Sequence, residues 1–240
     1  MRIAVLSDIH GNLPALDAVL AAVVPFDAVW QLGDVVGYGP EPDAVVARLQ
    51  EIGAIWVRGN HDAAAIGELS TTAFNVDARL AVLWTASVIR PETRAWLAAQ
   101  PMTSVDGHFT MAHGSPRDPI WEYVLTTPTA RANLAVLGTR HALIGHTHVP
   151  LVFREDDGLV ETLAPSDGSQ LVLDERRALL NPGSVGQPRD GDARAAAAIL
   201  DTEAGTMTWQ RVAYDIAAVQ ARMRAVDLPP RLVERLEHGQ

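Results

Sequence analysis

The chain has 240 residues and a mass of 25.8 kDa, a prior for one large domain or two small ones, and 48% hydrophobic against 20% charged residues describes a folded chain with a sizeable core. It holds no cysteine and its 19 basic residues are all arginine, which removes disulfides, thiolate metal sites, a cysteine nucleophile, lysine Schiff bases and the phosphate-loop lysine together. A net charge of −10 argues against non-specific binding to nucleic acid or an anionic membrane, while a locally positive site stays open.

The first sixty residues repeat one pattern three times. An apolar run at 3–6 ends in Ser7-Asp8-Ile9-His10-Gly11-Asn12, and 14–24 then shows helical spacing through Leu16, Val19, Leu20 and Val23. A second strand at 28–32 ends in Gly33-Asp34 before a helix over 42–52, and a third at 54–57 ends in Arg58-Gly59-Asn60-His61-Asp62. Strands alternating with helices predict right-handed crossovers and a parallel sheet, with the polar clusters at strand carboxyl ends. Residues 71–100 read as a largely helical insertion placed to cap a cleft. A strand at 109–112 ends in His113-Gly114-Ser115-Pro116, a helix covers 129–137, and a strand at 142–144 ends in Gly145-His146-Thr147-His148.

After Pro150, short runs separated by Asp156-Asp157-Gly158, Ser166-Asp167-Gly168 and Pro182-Gly183 predict antiparallel strands. The alanine-rich stretch 194–200 has helical propensity, but turn signals on both sides and the alternation over 206–214 make it a buried strand. Segments 215–226 and 230–236 read as a helical extension that closes a single domain spanning 1–240. No apolar run approaches the ~18 residues of a membrane span. The chain enters its first strand at Met1-Arg2-Ile3 with no leader, so a cytoplasmic location is expected.

Five of the eight histidines (His10, His61, His113, His146 and His148) stand in short polar clusters just after apolar runs. Each cluster alone is ordinary turn or capping chemistry. Jointly they bring oxygen and imidazole donors from five strand ends to one edge. Imidazole with carboxylate and amide oxygen suits Mn, Fe, Co, Ni or Zn rather than the all-oxygen shell of Ca or Mg. Seven donors (Asp8, His10, Asp34, Asn60, His113, His146 and His148) are too many for one open catalytic ion and fit two divalent ions, with Asp34 as the natural bridge.

Asp8-x-His10, Gly33-Asp34, Gly59-Asn60-His61-Asp62, His113 and Gly145-His146-Thr147-His148 stand in the order found in calcineurin-like metallophosphoesterases. Over residues 1–188 the chain resembles their small bacterial and archaeal phosphodiesterase branch. The resemblance implies an α/β fold, a four-layer α/β/β/α sandwich of two mixed β-sheets flanked by helices, with a dinuclear metal site at strand carboxyl ends. It implies Asp8, His10 and His148 on one ion, Asn60, His113 and His146 on the other, Asp34 shared, and His61 as the acid that protonates the leaving alkoxide. The expected activity is hydrolysis of small phosphodiesters through a metal-bridging hydroxide, with Mn²⁺ favoured. A phosphomonoesterase on the same site is the alternative. The same fold serves in retromer as a protein-binding scaffold with an impaired metal site, and here all seven ligands and His61 are present.

One departure matters. Phosphoprotein phosphatases and symmetrical dinucleoside tetraphosphatases carry Asp and Arg shortly after the Gly-Asp motif, where this chain has Val35-Val36-Gly37-Tyr38-Gly39. Arg58 matches the phosphate-contacting arginine of the phosphatases, or is a surface ion pair at a strand end. Asn12 is a substrate contact or a helix cap. Asn181-Pro182-Gly183-Ser184 with Arg189 is a loop beside the metals or an ordinary turn, and Tyr38 and Arg117 carry the same two readings. Ser115 reads as a turn residue, and His108, His141 and His238 as surface or turn histidines.

Overall fold

The computed structural model describes all residues from 1 to 240. In chain order the strands are β1 (Arg2–Leu6), β2 (Ala28–Gln31), β3 (Ile55–Trp56), β4 (Thr103–Asp106), β5 (Phe109–Ala112), β6 (His141–Leu143), β7 (Leu151–Asp156), β8 (Leu159–Leu163), β9 (Gln170–Val172), β10 (Ala178–Asn181), β11 (Ala195–Asp201) and β12 (Thr206–Val212). The helices are α1 (Leu13–Val23), α2 (Pro42–Glu51), α3 (Asn60–Ala65), α4 (Val76–Val88), α5 (Pro91–Ala98), α6 (Thr127–Val136), α7 (Ile216–Ala225) and α8 (Pro230–Glu234). They form two mixed six-stranded sheets, ordered β3-β2-β1-β11-β12-β9 and β4-β5-β6-β10-β7-β8.

The alternating strands do not make one parallel sheet. β1, β2 and β3 run parallel in the first sheet, whereas β5 and β6 run parallel in the second, joined there by β10. A strand's two-residue period explains the layering: Ile3 and Val5 turn toward the other sheet while Ala4 and Leu6 turn toward the helices. Trp30, Met111, Leu143, Leu180 and Trp209 complete the apolar layer between the sheets, each worth about 1.5–3 kcal/mol on burial. Helices α1 and α2 cover the outer face of the first sheet, and α6 covers the second with Leu134 and Ala130 against Phe153 and Leu179.

The alanine run is β11, a central strand paired on both sides by β1 and β12. Tertiary pairing overrides its helix propensity, since its side chains sit in a fully covered sheet. Residues 71–100 hold α4 and α5, and β4 escaped prediction because its Thr-Ser-Val-Asp sequence is mostly exposed at a sheet edge. His141 is a correction: it is buried, 4% exposed, at the start of β6 rather than at the surface.

Candidate metal centre

The loops after β1, β2, β3, β5 and β6 meet at one edge of the sandwich. They deliver Asp8 and His10, Asp34, Asn60 and His61, His113, and His146 and His148 to a single cluster in which none of the eight side chains is more than 3% exposed. The backbone is bent to do this. Asp8, His10, Asp34, Tyr38, His146 and His148 all take positive φ, between 51° and 64°, a conformation that non-glycine residues rarely hold outside functional loops. Gly59 is required by close approach, because a Cβ there would collide with the Asp34 carboxylate. Gly37, at φ 89°, leaves room for the His61 ring in the same way.

The imidazoles are oriented from behind. Nδ1 of His10 faces the Val36 carbonyl at 3.1 Å, that of His113 the Leu32 carbonyl at 2.9 Å and that of His148 the Gln187 carbonyl at 2.6 Å. A carbonyl can only accept, so each Nδ1 carries the proton, and in the neutral ring it is the Nε2 lone pair that turns inward. His10 Nε2 and His148 Nε2 then stand 3.1 Å apart, while His113 Nε2 lies 3.0 Å from His146 Nδ1 and 3.1 Å from Asn60 Oδ1. One oxygen of Asp34, Oδ2, faces both groups, at 3.2 Å from His113 Nε2 and 3.7 Å from His10 Nε2. Asp8 Oδ1, 3.3 Å from His148 Nε2, has no hydrogen-bond donor, and neither ring nitrogen pair offers it one.

Opposed lone pairs and an unpartnered carboxylate oxygen are costly in a dry pocket, and cations satisfy them together. The electrostatics agree. Burial alone would raise the Asp34 carboxyl, but the charges of His113 and His61 hold it well below the ordinary carboxylate range. Against the burial that would lower it, Asp34 pushes the His113 imidazole up to about 9. Burial pushes the Asp8 carboxyl up to about 7 and the His10, His146 and His148 imidazoles well down. Asp34 keeps its negative charge at the centre while His10, His146 and His148 are held neutral, the form that ligates metal. Three triads have donor atoms close enough to hold an ion: Asp8 with His10 and His148, Asp34 with His113 and His146, and Asp34 with His10 and His61.

A supporting layer fixes the donors, and several of its members left no clear mark in the sequence. Ser7 donates from Oγ to Asp8 Oδ2 at 2.6 Å, and the backbone N–H of His61 donates to Asp34 Oδ1 at 2.8 Å. Asp62 accepts from the N–H groups of Val36 and Gly59 at 3.0 and 3.1 Å, tying the Asp34 loop to the Asn60 loop. The Asn181–Ser184 turn is structural support beside the site: Asn181 donates to the Gly145 carbonyl and Ser184 Oγ to the Asp8 carbonyl. We expect Asp62→Ala to weaken metal affinity by about 10- to 100-fold, as loss of an orienting partner does, while leaving the Asp34 and Asn60 side chains chemically intact; metal titration of the purified variant measures it.

A cavity of about 290 Å³ opens onto the cluster, with Asp34, Asn60, His61, His146 and His148 on its floor and Phe74, Trp121, Tyr123, Tyr38 and Arg189 around it. The start of the 71–100 segment thus forms part of its wall, through Ala73, Phe74, Asn75 and Ala78. His61 sits between the rings of Tyr38, 4.3 Å away, and His10 and Phe74, both 4.9 Å away, and its Nδ1 has no hydrogen-bond partner. Burial pushes the His61 imidazole down to about 4.

Two sequence expectations look different here. Arg58 is outside the cavity lining: its guanidinium pairs with Glu68 at 3.0 Å and reaches the Ala98 carbonyl, the ion-pair alternative for this strand-end residue. Asn12 caps α1 by accepting from the Ala15 N–H and gives its amide N–H to Gly186, so both ends of its side chain are committed. The cationic side chain that reaches the cavity is Arg189, with its Nε lacking a partner and its guanidinium 5.7 Å from the Tyr38 ring centre. Arg117 is held by Glu122 at the surface. Arg58→Ala is therefore expected to change KM for a phosphate ester by less than about threefold, whereas loss of one charge-assisted contact, ~1.5–3 kcal/mol, in Arg189→Gln lowers kcat/KM at least tenfold; steady-state kinetics of the two variants side by side decide between them.

Comparison with known proteins agrees with this architecture. Residues 1–205 match the model of the calcineurin-like phosphoesterase superfamily domain. The chain is 35% identical over 244 residues to the uncharacterized protein MJ0912 of Methanocaldococcus jannaschii, covering 99% of this chain and 98% of that one. Among solved structures, a metallophosphoesterase from Sphaerobacter thermophilus is 46% identical, with TM-score 0.92 and coverage of 100% of this chain and 99% of the other. The hypothetical protein PH1004 of Pyrococcus horikoshii shares the fold at 22% identity and TM-score 0.80, over 100% and 98% of the two chains. Two six-stranded sheets, strand-end loops rich in His and Asp, and the full span of the match place this chain in the calcineurin-like phosphoesterase superfamily.

Proposed function

We propose that the protein is a metal-dependent phosphodiesterase acting on small phosphate esters. Asp8, His10 and His148 would hold one divalent ion, Asn60, His113 and His146 a second, and Asp34 would serve both. The observation that carries this reading is the inward convergence of lone-pair nitrogens on a single Asp34 oxygen that faces both groups. When bound, two such ions supply Lewis-acid stabilisation of the charge on phosphorus oxygens and a nucleophile at neutral pH.

The chain's own residues do the rest. His61 lies on the floor of the cavity with no hydrogen bond to either ring nitrogen, free to give a proton to the leaving alkoxide. Its low affinity for a proton comes first from burial, and a bound phosphate ester brings negative charge that works in the opposite direction. Arg189 offers its guanidinium to a phosphate oxygen, and Phe74, Trp121 and Tyr123 give the apolar side of the cavity to the ester's organic group. With one arginine on the cavity and no Asp and Arg after Gly33-Asp34, a dianionic monoester gains less here than in a phosphatase, which favours the diester.

The test is a metal-by-substrate screen with bis(p-nitrophenyl) phosphate and p-nitrophenyl phosphate. The expected result is higher kcat/KM for the diester, with Mn²⁺ among the better ions. A tenfold preference for the monoester across the metals tested replaces this assignment with the phosphatase. No helix is long and apolar enough to cross a membrane.

A further inference from the structure

A second, larger cleft adjoins the catalytic cavity. It measures about 640 Å³, within the usual range for a ligand site, and shares Tyr38, Asn75, Tyr123 and Arg189 with the cavity over the cluster. Its far wall is built by the C-terminal segment, with Arg231, Leu232, Glu234, Arg235, His238 and Gln240. This wall lies beyond residue 205, where the match to the family model ends.

The charges in the cleft are unusual for a protein of net charge −10. Arg189, Arg231 and Arg235 all line it, and Arg189 and Arg231 form no ion pair within 4.0 Å, whereas Arg222 on the neighbouring α7 is paired with Glu41. Two carboxylates, Asp77 and Glu234, also line the cleft without closing on a guanidinium, and Arg235 Nε donates to the main-chain oxygen of Gln240, the last of the 240 residues. His238 stands 3.5 Å from Glu237. Burial and then the charge of Arg189 push the Arg235 guanidinium down to about 10, so it stays charged at neutral pH beside a like charge that an anion would relieve. Arginine forks match phosphate oxygens.

We propose that this cleft holds a second phosphate of the substrate, so that the ester hydrolysed at the His and Asp cluster carries a further phosphate group bound by Arg231 and Arg235. The inference rests on the phosphoesterase reading and narrows it to esters with two phosphates. Hydrolysis itself is unchanged: water oxygen bonds to the scissile phosphorus, one P–O ester bond breaks, and the leaving oxygen takes a proton. The remote phosphate is bound and released intact.

Two measurements test it. The first needs no metal: isothermal calorimetry of the chelated full-length protein with tripolyphosphate at low salt. Wild type is expected to bind, with affinity at least tenfold weaker in Arg231→Gln/Arg235→Gln and in Arg231→Glu, the latter at an exposed position where no packing is lost. Arg154→Gln, in the remote Arg154–Glu161 pair, serves as the control and should bind as wild type does. The second compares thymidine 5′-(p-nitrophenyl phosphate) with and without a 3′-phosphate in the metal-loaded enzyme; the 3′-phosphate should raise kcat/KM at least tenfold, and the double variant should lose that preference. Hydrolysis of bis(p-nitrophenyl) phosphate with no tripolyphosphate binding overturns the second-phosphate site and leaves the phosphoesterase reading standing. Tripolyphosphate binding lost in the variants, without any metal-dependent hydrolysis, overturns the phosphoesterase reading instead. Equal binding by wild type and both variants overturns the assignment to Arg231 and Arg235.

Discussion

Asp34→Asn is expected to bind metal weakly and to lower kcat on a phosphodiester by more than about 10²-fold, since loss even of a group that only orients a ligand costs 10- to 100-fold. Its Oδ2 is the one oxygen that faces both His10 and His113, so an amide there removes the anionic donor from both halves of the cluster at once. The fold should survive, because an asparagine oxygen can still accept the His61 N–H that Asp34 Oδ1 accepts now. Circular dichroism and elemental analysis separate the two effects. Added Mn²⁺ at ~100 times its Kd should stabilise wild type by about 2.7 kcal/mol, a rise in Tm of roughly 5–10 °C for a chain of this size. The variant should show little of that rise. A variant that keeps its metal and its rate would remove Asp34 from the centre of the site.

His61→Ala should act differently, leaving metal content intact and cutting kcat for an ester with a poor leaving group by about 10²–10⁴-fold. The loss should be much smaller for nitrophenolate, which departs without a proton. The distinction rests on placement: His61 follows Asn60 at the start of α3, its ring lies on the cavity floor among Tyr38, His10 and Phe74, and its ring nitrogens make no hydrogen bond to the protein. Its donors also come near His10 and Asp34, a grouping that could itself hold an ion. Unequal losses for the two leaving groups with full metal content support the acid; loss of metal in His61→Ala would make the residue a ligand.

The donors themselves were legible because strand ends are. Apolar runs of four or five residues followed by Asp-x-His, Gly-Asp or Gly-Asn-His-Asp mark both the element and the residue it presents, and Asp8, His10, Asp34, Asn60, His113, His146 and His148 lie together as that pattern implied. Sheet membership was not legible. β5 and β6 look like further turns of the same alternation, and only long-range pairing with β10 and β4 assigns them to a second sheet. The arginines show the same limit. Arg58 is adjacent to a motif in sequence but turns away to Glu68, whereas Arg189, far along the chain, reaches the cavity because the loop after β10 packs under Asp8 and His148. Ser7 is an ordinary polar residue in sequence, and Asp62 is marked only as the end of the Gly-Asn-His-Asp motif; their supporting roles appear through the Asp8 carboxylate and the Val36 and Gly59 N–H groups they meet.

The central claim is that two divalent ions share Asp34 in a buried His and Asp cluster. Anomalous diffraction from crystals grown with Mn²⁺ tests it most directly. Two anomalous peaks are predicted, one in contact with Asp8, His10 and His148, the other with Asn60, His113 and His146, and both with Asp34; a single peak, or none at the cluster under metal-replete conditions, would contradict the account.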